Sequence, residues 1–121
     1  MAEYPPLTPS QIAAVLRTAL DPNNHFLPVN GLIRIPFLVE LFKVLAYVEG
    51  AAGGCSGSLL DEQIDLSREI LRIGCHFSEI TGPFLWYLGV GLSLRFDKKG
   101  IKQDLEESIR CLRIVLLSRT I

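Results

Sequence analysis

The sequence predicts an all-α protein of about five helices, arranged as antiparallel helical hairpins. Three observations lead there. Apolar residues recur at three- and four-residue spacing in five separate stretches, as they do on a helix with one buried face. Breaks rich in glycine, proline and asparagine separate these stretches. The third and fifth stretches repeat one another at an offset of 45 residues. The chain's 121 residues suit a single domain over 1–121, large enough to bury a core without metals or disulfides. Mean hydropathy is +0.33. A soluble domain this apolar is either tightly packed or keeps an apolar surface for another molecule to cover.

Residues 1–7 form a short proline-rich leader. The first helix follows. Thr8 can accept a backbone hydrogen bond, Pro9 suits the first helical position, and Gln11 completes a capping box. Ile12, Val15, Leu16 and Ala19 share one face, and Asp21-Pro22-Asn23-Asn24 stops the helix. Residues 21–35 read as irregular, with Leu32 to Ile35 extended because Pro36 disfavours helix in the residue before it. Together, 1–35 are expected to act as leader and capping helix.

The second helix is expected from about Pro36 to Glu49, with Leu38, Leu41, Phe42, Leu45 and Val48 inward and Gly50 ending it. Ala51 to Gly57 reads as a flexible loop. Ser58 and Asp61 resemble a helix-start pair. The third helix then turns Leu60, Ile64, Ile70, Leu71 and Ile73 inward and stops at Gly74. The fourth is expected to begin near Pro83, capped by Thr81 or Gly82, with Leu85, Leu88, Leu92 and Phe96 as its stripe. Gly89 and Gly91 within it cost about 0.5–1 kcal/mol each against alanine, so close packing against a neighbour is expected to compensate. Asp97 to Gly100 turns the chain. Asp104 and Glu107 form another capping pair, and the fifth helix places Leu105, Ile109, Leu112 and Leu116 on one face. The expected hairpins are 36–73, the more divergent, and 83–117.

The repeat carries the family resemblance. Leu60-Asp61-Glu62-Gln63-Ile64 aligns with Leu105-Glu106-Glu107-Ser108-Ile109, and the register continues through Arg68 with Arg113 and Leu71 with Leu116. Periods of 20–50 residues mark stacked helical units. Leu85-x-x-Leu88-Gly89-x-x-Leu92-x-x-Arg95-Phe96, a glycine turn, then Asp104-Leu105-Glu106-Glu107-Ser108-Ile109 resembles a tetratricopeptide repeat, in the longer form seen in large fungal proteins. The resemblance covers about residues 59–117. Gln63 and Ser108 stand where the family usually has alanine. The resemblance implies a short right-handed array of hairpins, with a groove lined by the first helix of each unit. Tyr47, Tyr87, Gly91 and Arg95 are the partner-binding candidates it implies, since aromatic residues and arginine are enriched at binding hot spots. The chain closes on Leu116-Leu117-Ser118-Arg119-Thr120-Ile121 with no polar capping helix. A truncated or divergent array is therefore expected, its open apolar end covered by a partner or a second copy.

Several function classes lose support. The net charge of −1 argues against nucleic-acid binding through general electrostatics. Lys98, Lys99 and Lys102 sit beside Asp97 and Asp104 and read as a solvated turn. The apolar run Ile35 to Val48 contains Pro36, Glu40 and Lys43, too short and too charged to span a bilayer. The N-terminus is no secretory signal, so a cytoplasmic location is expected. Three widely spaced cysteines, Cys55, Cys75 and Cys111, do not read as a disulfide framework. His25 and His76 lie far apart, and the adjacent Cys75 and His76 point to different sides of most local structures, so no metal site is expected. Gly50 to Gly57 lacks the lysine-serine or lysine-threonine ending of a phosphate loop. Cys75 or Cys111 could pair with His25 only by folding, and no catalytic signature surrounds either, so neither catalytic residues nor a cofactor are expected. The function expected is a non-enzymatic protein-interaction or scaffold module. The alternative is a helical binder of a small hydrophobic ligand, or a minor enzyme, suggested by the aliphatic content of 26–48.

Overall fold

The computed structural model describes residues 5–28, 31–51 and 57–119. Among them the chain is all-α, with five helices: α1 (Pro9–Leu20), α2 (Arg34–Ala51), α3 (Gly57–Ile73), α4 (Ser78–Lys99) and α5 (Lys102–Arg119). A 3-10 turn, Pro22–Asn24, follows α1. No helix among these residues is long and apolar enough to cross a membrane. The chain divides into two compact units, residues 1–54 and 55–121, which place α2 and α3 in different units.

In the first unit α1 packs on α2. The capping box forms as the sequence predicts: the Gln11 N–H donates to Thr8 Oγ1 at 3.2 Å, and the Thr8 N–H donates to Gln11 Oε1 at 2.9 Å. Thr8→Ala, which removes the acceptor of the Gln11 N–H, is expected to cost about 1 kcal/mol, read as a lower thermal midpoint. Ala13 and Leu20 are buried, whereas Val15, expected inward, is 59% exposed. The Asp21 carboxylate accepts from the Asn23 N–H at 2.9 Å, and His25 takes a left-handed φ of 56° to turn the chain. Arg34, buried at the start of α2, donates to the Leu20 carbonyl and so satisfies an end of α1 that has no helical partner.

Helix α2 starts two residues before Pro36, and Leu32 to Ile35 are turn and helix rather than extended. The Arg34 N–H donates to the Gly31 carbonyl and the Ile35 N–H to the Leu32 carbonyl, both at 3.0 Å. The first N–H groups of a helix have no internal acceptor, so Pro36 loses no helical bond at the third position. Leu38, Leu41, Phe42 and Leu45 are buried as expected, Val48 is half-buried, and the helix runs through Gly50 to Ala51.

In the second unit α4 packs against both α3 and α5. Leu60 and Ile64 of α3, Leu88 and Leu92 of α4 and Cys111 of α5 form one core cluster, with Leu71 and Leu85 packed against it. The two helix glycines let backbones approach, as the sequence implies. A Cβ at Gly91 would stand 3.2 Å from Ile64 Cγ1, and one at Gly89 only 2.8 Å from Leu112 Cγ and Cδ2. Helix α4 begins at Ser78, five residues before the expected start at Pro83. Ile80 seats on Gly74, where a Cβ would come within 3.0 Å of Ile80 Cγ2, and the Phe77 carbonyl accepts from both Ile80 and Thr81 at 3.0 Å. These contacts favour helix ahead of the proline, which forfeits one backbone bond near the helix start. The left-handed Gly100, φ 69°, closes α4 with its N–H donating to the Phe96 carbonyl at 2.7 Å.

Helix α5 turns inward a different face from the one expected. Asp104, Ser108, Cys111 and Val115 are its buried residues. Leu105 and Leu112 are half-buried, and Ile109 and Leu116 are exposed. Polar groups on α4 supply the reason. Asp104 is taken by Arg95, and the Ser108 hydroxyl donates to the Gly89 carbonyl at 2.7 Å.

Candidate interaction surface

Arg95 ties the three helices of the second unit together. Its Nε and Nη2 each donate at 2.8 Å to one carboxylate oxygen of Asp104 on α5, a bidentate pair. Its Nη1 donates at 3.2 Å to Asp61 on α3, whose other oxygen accepts from Lys99 Nζ at 3.2 Å. The Arg95 and Asp104 side chains are only 17% and 5% exposed. The Arg95 guanidinium holds the Asp104 carboxyl below the usual carboxylate range. Arg95, and then Lys99, do the same for Asp61, while Arg95 itself is pushed up by Asp104. A second ion pair joins α3 to α5: Arg68 Nη2 donates to both Glu107 oxygens, at 2.7 and 2.8 Å. Asp61, Asp104 and Glu107, which sequence spacing marks as helix-capping residues, are thus cross-helix ion-pair partners. Of the three, Asp104 lies in the first turn of its helix, where a carboxylate also meets the favourable end of the helix dipole.

The four partner-binding candidates fall in different settings. Tyr47 is 67% exposed on α2, in the first unit. Tyr87, Gly91 and Arg95 all lie on α4. Gly91 is buried against Ile64, and Arg95 directs its donors to Asp61 and Asp104. Tyr87 is 45% exposed and meets Phe84 edge to face at a centroid distance of 5.4 Å. With Trp86, Pro83, Gly82, Val115 and Ser118 it lines an open hollow of about 340 Å³ between α4 and α5.

Sequence reasoning expected an open apolar end at Leu116-Leu117 but turned Ile109 and Leu116 inward. Ile109, Ile114, Leu116 and Leu117 are all about half exposed or more. A signal was present: Ile109, Leu112, Ile114, Val115, Leu116 and Leu117 are more apolar residues than one helical face can bury.

No group of three or more histidine, cysteine, aspartate or glutamate side chains among the described residues is placed to hold a metal ion. Cys55 lies outside the described residues. Cys75 is exposed, while burial pushes the Cys111 thiol up. Iodoacetamide is therefore expected to modify Cys75 rapidly and Cys111 only after denaturant is added, as read by peptide mass mapping. In the first unit, Ala14, Val15, Thr18, Ala19, Asn24 and Phe26 line an open, mostly apolar hollow of about 420 Å³. Comparison with known proteins found no matching family model, no matching curated protein and no matching solved structure.

Proposed function

We propose that the chain is a non-catalytic protein-interaction module whose second unit binds a protein or peptide through the outer side of α5, next to the aromatic hollow on α4. One observation carries this reading: Ile109, Ile114, Leu116 and Leu117 stand exposed on a helix whose buried Asp104 and Ser108 are bonded to α4. Apolar surface removed from water gains about 25 cal/mol per Å², so such residues reward any partner that covers them. The tetratricopeptide-like reading of residues 59–117 belongs to this proposal. It is supported by the 45-residue repeat of α3 in α5 and by the packing of both helices on α4.

The test is selection of displayed peptides on the immobilised chain, followed by rebinding to Leu116→Asp and Trp86→Ala variants. Selected peptides that lose binding to either variant support the reading. Failure to select any, with sedimentation equilibrium showing only monomer, overturns it. A second reading rests on the apolar hollow of the first unit around Val15 and Phe26, which suits a small hydrophobic ligand. Native mass spectrometry of the purified chain is expected to show a co-purified ligand if that reading holds, and a bare chain if it does not.

A further inference from the structure

The internal repeat says what should cover α5. At the 45-residue offset, Leu60, Asp61, Ile64 and Leu71 of α3 correspond to Leu105, Glu106, Ile109 and Leu116 of α5. On α3 this side receives α4. Leu60 and Ile64 are buried there, Gly91 seats on Ile64, and Arg95, four residues further along α4, reaches Asp61. On α5 the corresponding Ile109 and Leu116 are 47% and 62% exposed, and Glu106 is exposed beside them. The two helices thus carry the same apolar positions and the same carboxylate in the same register. Among the described residues, only α3 has a helix covering these positions.

We propose that this side of α5 receives an amphipathic α-helix from another polypeptide, one carrying a small residue against Ile109 and an arginine or lysine four residues later against Glu106. The inference rests on the reading of α5 as the interaction surface and specifies the partner's chemistry. The apolar contact supplies the area, and the small residue permits the close approach seen between Gly91 and Ile64. The basic residue fixes direction and register, because running the helix the other way would separate it from Glu106.

The probe is a fluorescein-labelled synthetic peptide of residues 78–99, which carries Gly91 and Arg95 in the required spacing, titrated with the full chain by fluorescence anisotropy. Saturable binding is expected, weakened at least about tenfold by Ile109→Glu in the chain and by Gly91→Leu in the peptide. Glu106→Lys in the chain should weaken binding, and Arg95→Glu in the peptide should restore it. Ile109 is exposed, so unchanged helical circular dichroism should accompany its substitution. Absence of saturable binding overturns the proposal. So does binding that ignores Ile109→Glu or that follows Ile64→Ala instead, which would mean exchange with α4. If displayed peptides still need Leu116 or Trp86 while this probe fails, the helical partner is wrong and the interaction reading stands.

Discussion

Replacing Arg95 by alanine is expected to lower the stability of the second unit by about 3–5 kcal/mol, the cost of breaking a buried pair by removing one partner. The Asp104 side chain is 5% exposed, and both its oxygens accept from Arg95 at 2.8 Å. Without the guanidinium, the Asp104 carboxylate loses both its hydrogen bonds and its main counter-charge, and one of the two bonds from α4 to Asp61 on α3 goes too. Arg95→Lys should recover only part of the loss, because an ammonium cannot engage both oxygens in the planar fork. The double variant Arg95→Met, Asp104→Leu should recover more than Arg95→Lys, since no charge then remains buried.

The pH dependence distinguishes this account from simple loss of packing. Arg95 depresses the folded-state pKa of Asp104 and Asp61. Their contribution is therefore complete above the unfolded carboxylate value of about 3.9, and it disappears as pH falls through the depressed folded values. In Arg95→Ala the sign reverses for Asp104: an unpaired buried carboxylate favours its neutral form, so acid should narrow the gap between variant and parent. Urea unfolding at pH 7, pH 4 and about pH 2.5, followed by circular dichroism and Trp86 fluorescence, measures both effects. A loss below about 1 kcal/mol at pH 7 would place the pair among solvent-screened surface bridges.

Arg95 also shows where sequence pattern stops being informative. Local signals were legible. The Thr8–Gln11 capping box, the Gly74 stop and the buried row Leu38, Leu41, Phe42 and Leu45 all follow from spacing and turn chemistry, whereas the turn expected from Asp97 is helix through Lys99. The side of α5 that faces the core was not legible, because hydrophobicity misreports it. Asp104 and Ser108 are buried there through bonds to Arg95 and the Gly89 carbonyl, partners 9 and 19 residues away. Ile109 and Leu116, the residues that read as core, stay outside. A polar residue is accepted in an interior when another element completes its hydrogen bonds, and no periodicity records that. Pro83 failed for the opposite reason. Its start signal is genuine, yet Ile80 on Gly74 gains enough by packing to carry the helix through it. For the candidate surface, the repeat was readable as an offset of 45 residues, but the unequal coverage of its two copies was not.

The second large effect is expected at Ile64, where shape decides the outcome rather than charge. Ile64 is 1% exposed in the core cluster with Leu60, Leu88, Leu92 and Cys111. Ile64→Ala should cost about 2–5 kcal/mol, the transfer loss plus the cavity left behind. Its neighbour makes the prediction sharper. Gly91 has no Cβ, and one added there would stand 3.2 Å from Ile64 Cγ1, tighter than ordinary contact. In the parent, Gly91→Ala therefore sets a helix gain of about 0.5–1 kcal/mol against crowding of about 1–3 kcal/mol, and a net loss is expected. In the Ile64→Ala background the crowding atom is gone, and the new methyl group fills part of the cavity while the helix gain remains. Gly91→Ala should then stabilise the chain. The double-mutant cycle should show a coupling of about 1 kcal/mol or more in favour of the pair, measured by urea unfolding of the four proteins. Additive effects would mean that α3 and α4 do not meet at Gly91. They would also remove the template from which the covering of Ile109 on α5 is argued, so this cycle should precede any search for a partner helix.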